Sequence, residues 1–590
     1  MNLSRFVRRY VLRHWRWYTA GVVSLIATNW ASVHIPMEVA AAIDALSRTD
    51  AHEIVVEKAI RIGLFGVVVI GIRTLSRVAF FTPGRNLEAE VRRDLFASFL
   101  AQQPVFLKNY PPGDLINRAS SDTNAIRMLF GFGLLQLLNS STAVLMAGAQ
   151  MFRIAPSLAL ACTVPIAAAL IANQLFIRKL YVLIHQMQRE LSALSDHILS
   201  TYQGVATLQG FRAEPAFIRR FDDANQAYQR TSQSRSNLRT VIGPLLGLAA
   251  AINVFVVLYF GGHLIVSDQM TIGELVAFVT LVGMLVSPLR ATSFLVAIWK
   301  QAQVSLERLG ELIDAVPDRP DRDAPLIPGE RPPSIEFRGL SYTYPDATPA
   351  EDGSLRGALC DLRFAIPAGA TVGLFGPAGS GKTTLVRIIS RLYNPPEGTV
   401  FVDGQDIRRL DLDQWRERVT LVPQRAFLFS ETLAENILLG QPRDERLLRV
   451  LHDTTLDVDI ASLQKGADSP VGETGVMLSG GQRQRAALAR ALLRPQALWI
   501  LDDVLSSVDH ATEQSLIKTI RSLGSGSEGH PTTLLVSHRI SALQHANFIV
   551  VLEPSPEGGR VTAIGTHEDL IGRPGIYHDT WNRQREGELA

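Results

Sequence analysis

Gly376-Pro377-Ala378-Gly379-Ser380-Gly381-Lys382-Thr383-Thr384 stands between an apolar run, Ala370 to Phe375, and a helix-like one that begins at Leu385. That is the strand–loop–helix setting of a phosphate-binding loop. Gly376, Gly379 and Gly381 let the backbone wrap a phosphate chain, where a Cβ would block the approach and forbid the φ angles. Backbone amides of the loop, Ser380 among them, and the helix N-terminus then face the anion. Lys382 adds a point charge, Thr383 offers a hydroxyl to Mg²⁺, and Thr384 closes the loop. The stretch specifies a nucleotide site in an α/β domain.

The pattern around it agrees. Short β-rich runs occur at Ile335–Phe337, Thr371–Phe375, Val419–Val422, Leu498–Leu501, Thr533–Ser537 and Phe548–Leu552, with helical patterns between them. This predicts a mostly parallel sheet covered by helices over residues 334–590. The apolar run Leu498 to Leu501 delivers Asp502 to a strand end, where ligands bind in open α/β sheets. There Asp502 can share a Mg²⁺ ion with Thr383. Pro317, Pro320, Pro325, Pro328, Pro332 and Pro333, mixed with charges, mark 316–333 as a linker.

The first half differs in kind. Of 590 residues, 47 % are hydrophobic, and nearly all the long uncharged runs lie before residue 300. Runs at 17–37, 128–152, 154–177 and 241–266 each reach spanning length. Residues 55–81 and 273–299 contain charges, among them Arg73, Arg77 and Arg290, and read as spans lining a polar cavity. Six spans between 17 and 315 return both ends to one side. Residues 1–16 carry Arg5, Arg8, Arg9 and Arg13 among aromatics, as an interfacial elbow helix does. The connections between the second and third spans and between the fourth and fifth are rich in Arg, so both termini and residues 334–590 are expected in the cytoplasm. Net charge is +2, which gives no pull toward nucleic acid. Cys162 and Cys360 offer neither a disulfide pattern nor metal-ligand spacing. Asn29, Trp30, His34, Asn139, Asn173, Asn253 and Arg290 either line a cavity or bridge helices.

Leu478-Ser479-Gly480-Gly481-Gln482, between the phosphate loop and the Asp502 strand, resembles the signature of ATP-binding-cassette ATPases. Tyr344 resembles the aromatic that stacks on adenine, Gln424 the glutamine that contacts Mg²⁺, and Val471-Gly472-Glu473-Thr474-Gly475 the X-loop. Ser506-Ser507-Val508-Asp509 resembles the D-loop, and His538 the switch histidine. In the first half, Gly113-Asp114-Leu115-Ile116-Asn117-Arg118 with Asp122, Leu208 to Glu214, and Thr271 to Phe278 resemble the exporter branch of that superfamily. The resemblance implies a half-transporter: an all-α six-helix transmembrane domain joined to an α/β nucleotide-binding domain. It implies ATP and Mg²⁺ as cofactors, the bilayer as surroundings, and a second half-transporter as partner. Ser479, Gly480, Gly481 and Gln482 would cap the γ-phosphate of ATP held by that partner. Lys382, Gln424, Asp503 and His538 would carry catalysis. Short coupling helices are expected near 119–124 and 203–210.

One position departs from the pattern. The family places Glu after the metal-binding Asp, as general base; here it is Asp503. Its carboxylate sits back by about 1 Å, a displacement that can cost on the order of 100-fold in rate. Asp at this position resembles one subunit of bacterial heterodimeric multidrug exporters. The expectation is ATP-driven export of amphipathic or hydrophobic cargo across a bacterial inner membrane, as half of a heterodimer in first place and a homodimer in second. Two alternatives stay open: a siderophore-type transporter of exporter shape, and a non-hydrolysing ATP-sensing subunit.

Overall fold

The computed structural model describes residues 2–46, 51–315, 331–345, 347, 357–472, 475, 477–494, 496–504, 510–522 and 530–588. The chain divides into two compact units, residues 1–101 with 110–316, and residues 102–109 with 317–590. Residues 316–330 of the expected linker lie outside the described residues.

The first unit is helical. Helical turns from Leu3 to His14 bury Phe6 and Tyr10, while Arg9 reaches Asp94 at 2.9 Å. Long helices follow: α1 (Trp15–Ala45), α2 (Ala51–Ala101), α3 (Pro112–Ile154), α4 (Pro156–Gln203), α5 (Glu214–Val266) and α6 (Ile272–Ile313). Among the described residues three stretches are long and apolar enough to cross a membrane: α3, α4 and Gly247–Val266 of α5. Ile272–Leu285 is apolar but shorter. α1 is diluted by buried Ser24, Thr28, Asn29 and Ser32, and α2 by Arg73 and Arg77. Asn29 is a helix bridge, since its Nδ2 donates to Thr142 Oγ1 at 2.6 Å. The side chains of Asn173 and Arg290 lie outside the described residues.

The stretches expected as coupling helices are both helical. Residues 119–124 belong to the helical unit, where Arg118 and Asp122 are buried. Arg118 Nε donates to Asp114 at 2.8 Å, Arg308 pairs with Asp122 at 3.1 Å, and Ser305 donates to Asp122 at 2.8 Å. Burial of Arg118 and Asp122 is compensated by these pairs, since an unpaired buried charge is costly, while Ser120, Ser121 and Asn124 of the same stretch stay exposed. The segment that belongs with the second unit is 102–109, which holds a helix at Pro104–Lys108. Val105 packs against the core of that unit. The second expected helix is present, at Val205–Gly210.

The second unit is built on a ten-stranded sheet in the order β5-β4-β1-β2-β10-β9-β3-β8-β7-β6. Here β3 is Thr371–Phe375, β6 Val419–Val422, β7 Leu498–Asp502, β8 Thr532–Val536 and β9 Phe548–Ser555. These five run parallel to their neighbours in the block from β9 to β6. β1 (Ile335–Tyr342), β2 (Leu359–Ile366), β4 (Val400–Val402) and β5 (Gln405–Asp406) are antiparallel to one another, and β10 (Gly558–Gly565) is antiparallel to β9. The sheet is therefore mixed. Its antiparallel wing escapes an apolar-run reading because those strands bury one face only: β2 exposes Asp361 and Arg363 between Leu359, Leu362 and Phe364. Along β7 the side chains alternate. Leu498 and Ile500 join one apolar cluster, with Leu374 and Trp415; Trp499 and Leu501 join another, with Phe375 and Tyr577. A third cluster, including Leu428, Leu433, Leu478 and Ala486, is carried by helices.

Candidate nucleotide site

The site is assembled at the ends of the parallel strands. β3 hands the chain to the phosphate loop, and helix α7 (Lys382–Ile389) leaves it. Gly379 and Gly381 take φ of +81° and +88°, left-handed values that a side chain resists. A Cβ on Gly376 would stand 2.3 Å from the Leu552 carbonyl oxygen, so the loop packs directly on β9. Lys382 Nζ donates to the carbonyls of Gly376 and Pro377, both at 2.7 Å, which holds the ammonium across the loop mouth. Burial pushes its pKa down, against the pull of Asp502 and Asp503.

A cleft of about 630 Å³ opens here, lined by Tyr344, Gly376, Gly379, Gly381, Lys382, Thr383, Thr384, Gln424, Asp502, Asp503 and His538, with Ala358 and Ala378. These come from separate parts of the sequence, and the fold places them around one volume. Tyr344 is half-buried between Tyr342 and Tyr393, with edge contacts of 5.5 Å to each. Its hydroxyl pairs with Thr384 Oγ1 at 2.7 Å. From residues 102–109, Lys108 Nζ stands 5.7 Å from the Tyr344 ring centre.

Asp502 ends β7 and is 3 % exposed. Burial raises its pKa; a hydrogen bond from Thr383 opposes the rise, and the charge of Asp503 adds to it. A buried carboxylate bonded to a hydroxyl offers hard oxygen donors of the kind Mg²⁺ takes. No group of three or more His, Cys, Asp or Glu among the described residues could hold a metal alone. A magnesium ion at this point fits only as the partner of phosphate oxygens.

Asp503 follows in the left-handed region at φ +54°, a conformation Asp tolerates better than most residues. Its N–H donates to Val536 O at 2.9 Å and prolongs the β7–β8 ladder. Its carboxylate is engaged twice: His538 Nδ1 lies 3.0 Å from Oδ1, and Gln424 Nε2 donates to Oδ2 at 3.3 Å. A carboxylate only accepts, so His538 carries its proton on Nδ1 and turns Nε2 away from Asp503. Gln584, on the C-terminal helix (Ile576–Glu588), donates to His538 O at 2.9 Å and accepts from Ile540 N at 3.0 Å. Sequence reasoning missed Gln584, and no local pattern marks it.

Ser479 to Gln482 do not line this cleft. Ser479 caps helix α8 (Gly480–Leu492) through a reciprocal box: Ser479 Oγ accepts from Gln482 N at 3.2 Å, and Gln482 Oε1 accepts from Ser479 N at 2.9 Å. Gln482 is also tied to Asp459 at 3.1 Å, while Ser479 and Gly480 are exposed. The helix end thus presents exposed backbone at an N-terminus, an arrangement that suits an anion. Glu473, Thr474 and the run Ser506 to Asp509 lie outside the described residues.

Comparison with known proteins accounts for both units. Residues 18–289 match the family described as ABC transporter transmembrane region, and residues 359–506 match the ABC transporter family. A probable multidrug resistance ABC transporter ATP-binding/permease protein of Bacillus subtilis (strain 168) is 31 % identical over 99 % of this chain and 97 % of its own length. A multidrug resistance-like ATP-binding protein of Escherichia coli (strain K12) is 28 % identical over 99 % of this chain and 97 % of its own. A structure of a bacterial Atm1-family ABC exporter with ATP bound shares the fold at a TM-score of 0.78 and 24 % identity, over 96 % of this chain and 99 % of that one. An ATP-binding cassette joined to a helical membrane unit, matched along nearly the whole chain, makes this an integral membrane protein of the ABC transporter family, an exporter half-transporter whose ATPase is coupled to transport.

Proposed function

We propose that this chain exports amphipathic or hydrophobic small molecules across a bacterial inner membrane, as one half of a heterodimer with one slow and one fast ATP site. Tyr344 stacks on the base. The loop from Gly376 to Thr384 holds the phosphates, and Thr383, Asp502 and Gln424 face the magnesium ion that accompanies them. Ser479, Gly480, Gly481 and Gln482 complete the site of the other subunit, which is why they stand apart from this chain's own cleft. Six spans place both termini and the cassette in the cytoplasm. The names of the relatives, multidrug resistance in two of them and an ATP-dependent lipid A-core flippase of Syntrophus aciditrophicus in a third, support cargo with an apolar part.

The observation that carries the unequal pair is Asp503. Its short carboxylate is held by His538 and Gln424, and it is one methylene further from an attacking water than Glu would be. This site then binds ATP and turns over slowly, while the site completed by Ser479 does most of the work. The test is the ATPase rate of three variants in the purified pair. Ser479→Arg, which fills the cradle, removes most activity. Asp503→Asn removes far less. Asp503→Glu raises turnover by restoring reach within the ~2.6–3.2 Å a general base requires. Equal losses for Ser479→Arg and Asp503→Asn would make Asp503 the working base and overturn the proposal.

A further inference from the structure

α1 and α2 pack antiparallel, and their contacts fix depth. Tyr18 meets Phe80 at 5.8 Å between ring centres, Trp30 meets Phe65 at 6.1 Å, and Glu38 pairs with Lys58 at 2.8 Å. The uncharged run 17–37 therefore lies alongside residues 58–80 of α2. Arg73 stands seven residues inside Phe80, about 10 Å along the axis at 1.5 Å per residue, and Arg77 about 4.5 Å inside it. Both lie within a layer of about 30 Å that α1 crosses without a charge.

The helical repeat of 100° per residue separates the exposed surface of α2 into two sectors. Ile60, Leu64, Val67, Leu75 and Val78 share one, apolar throughout and suited to lipid. Arg73 and Arg77, four residues apart and both exposed, lie on another side of the helix, with exposed Ile70 beside them as an apolar neighbour. Upstream on that face a Cβ on Gly63 or Gly66 would meet nothing within 4 Å, so the arginine face has space before it. At the other end of the helix the cations are matched: Lys58 pairs with Glu38, and Arg61 with Glu57 at 2.5 Å. Neither Arg73 nor Arg77 makes an ion pair with a described residue. The sequence has no Asp or Glu at 58–87, 123–189, 224–267 or 275–306. A second copy of this chain could not supply a carboxylate at that depth either.

We propose that Arg73 and Arg77 form an anion-binding site inside the membrane unit, and that it takes amphipathic molecules bearing a phosphate, sulfate or carboxylate. The site rests on the reading of α2 as a span. Two guanidiniums one turn apart can hold such a group by several charge-assisted hydrogen bonds, strengthened by the low dielectric around them. The same chemistry belongs to an anionic cargo and to the headgroup of a resident anionic lipid.

The test uses the full-length chain with its partner subunit in phosphatidylcholine nanodiscs. Binding of radiolabelled dodecyl phosphate and dodecyltrimethylammonium, below their micellar concentrations, is measured against empty discs. The expected result is a preference of about tenfold or more for the phosphate, which the Arg73→Gln/Arg77→Gln double variant loses and the Arg73→Lys/Arg77→Lys double variant keeps in part. Unchanged melting temperatures keep the comparison free of folding effects. Absence of the preference, or its survival in the Gln variant, would overturn the proposal. ATP with vanadate then separates the sources: release of the phosphate probe marks cargo, and its retention, with displacement by phosphatidylglycerol, marks a resident lipid. Either upholds the site. The export reading fails separately, if vesicle transport by the pair does not depend on ATP.

Discussion

Asp502 shows what the nucleotide site demands of a single residue. Burial lifts its pKa above the ordinary carboxylate value, and the bond from Thr383 offsets only part of that. A group whose folded pKa is raised binds its proton more tightly folded than unfolded. Stability is then greatest below the unfolded pKa and falls as pH rises through the window between the two values. Above that window the buried carboxylate opposes folding, and Asp502→Asn is expected to raise the melting temperature of the nucleotide-free protein. The same substitution removes a hard anionic ligand, so the affinity for ATP in the presence of Mg²⁺ should drop while affinity without the metal changes little. Fluorescent-nucleotide titrations with and without Mg²⁺ check this; equal losses in both would remove Asp502 from the metal's surroundings. The proton also competes with the metal, so the Mg²⁺-dependent part of the affinity should weaken on acidification sooner than an ordinary carboxylate would allow. At Lys382 the expected outcome of Lys382→Ala is a folded, inserted chain without ATP-driven transport, since the side chain meets loop carbonyls rather than core. Transport undiminished in vesicles would refute that role.

Among the elements, Pro104–Lys108 has the sharpest consequence. Val105 packs against the same cluster as Leu374, Val386 and Ile500, which lie under the phosphate loop. Val105→Asp puts a charge into that contact, at a cost of several kcal/mol unless the segment lets go. The expected outcome is release of the segment: basal ATPase persists and its stimulation by cargo is lost. Normal stimulation in the variant would show that 102–109 carries no signal. A second element tests packing alone. Trp415 is fully buried, and its Nε1–H donates to Ile389 O at 2.8 Å at the end of α7. Trp415→Ala should cost the cassette about 3–5 kcal/mol, measured by denaturant unfolding. Legibility in the sequence follows the same physics. The parallel strands were readable because both faces are buried and the runs are continuously apolar, as in Leu498 to Leu501. β2 and β10 were not, because Asp361, Arg363 and Arg560 interrupt them. The cleft residues were legible because each carries chemistry in a motif. Gln584 acts through the backbone of His538 from 46 residues away, and such a contact leaves no trace in local pattern. The pairing of Asp122 was illegible for a related reason: its partners Arg308 and Ser305 lie almost 200 residues on.

For the molecule as a whole, the proposed function divides labour between two chains. The cleft with Lys382, Asp502, Asp503 and His538 and the exposed end of α8 at Ser479 are separate surfaces of one cassette. In the proposed pairing each meets its counterpart on the other subunit. If this chain paired with itself, both sites would be identical, each with an intact Ser479 cradle and each with the short Asp503 in the place of the general base. The set-back of about 1 Å would then act twice, with no faster site to compensate, and turnover on the order of 100-fold below a well-aligned site is expected. Paired with a chain that carries Glu at that position, the Ser479 cradle completes a fast site and the Asp503 cleft remains an ATP-bound hinge. The decisive measurement is vanadate-sensitive ATPase of this chain purified alone, against the same chain co-expressed with a candidate partner. Slow hydrolysis alone, with ATP binding intact and a rise of about two orders of magnitude in the pair, is the expected result. Robust hydrolysis by the chain alone as a homodimer would sink the heterodimer, and Asp503→Asn would then be expected to abolish activity in both sites at once.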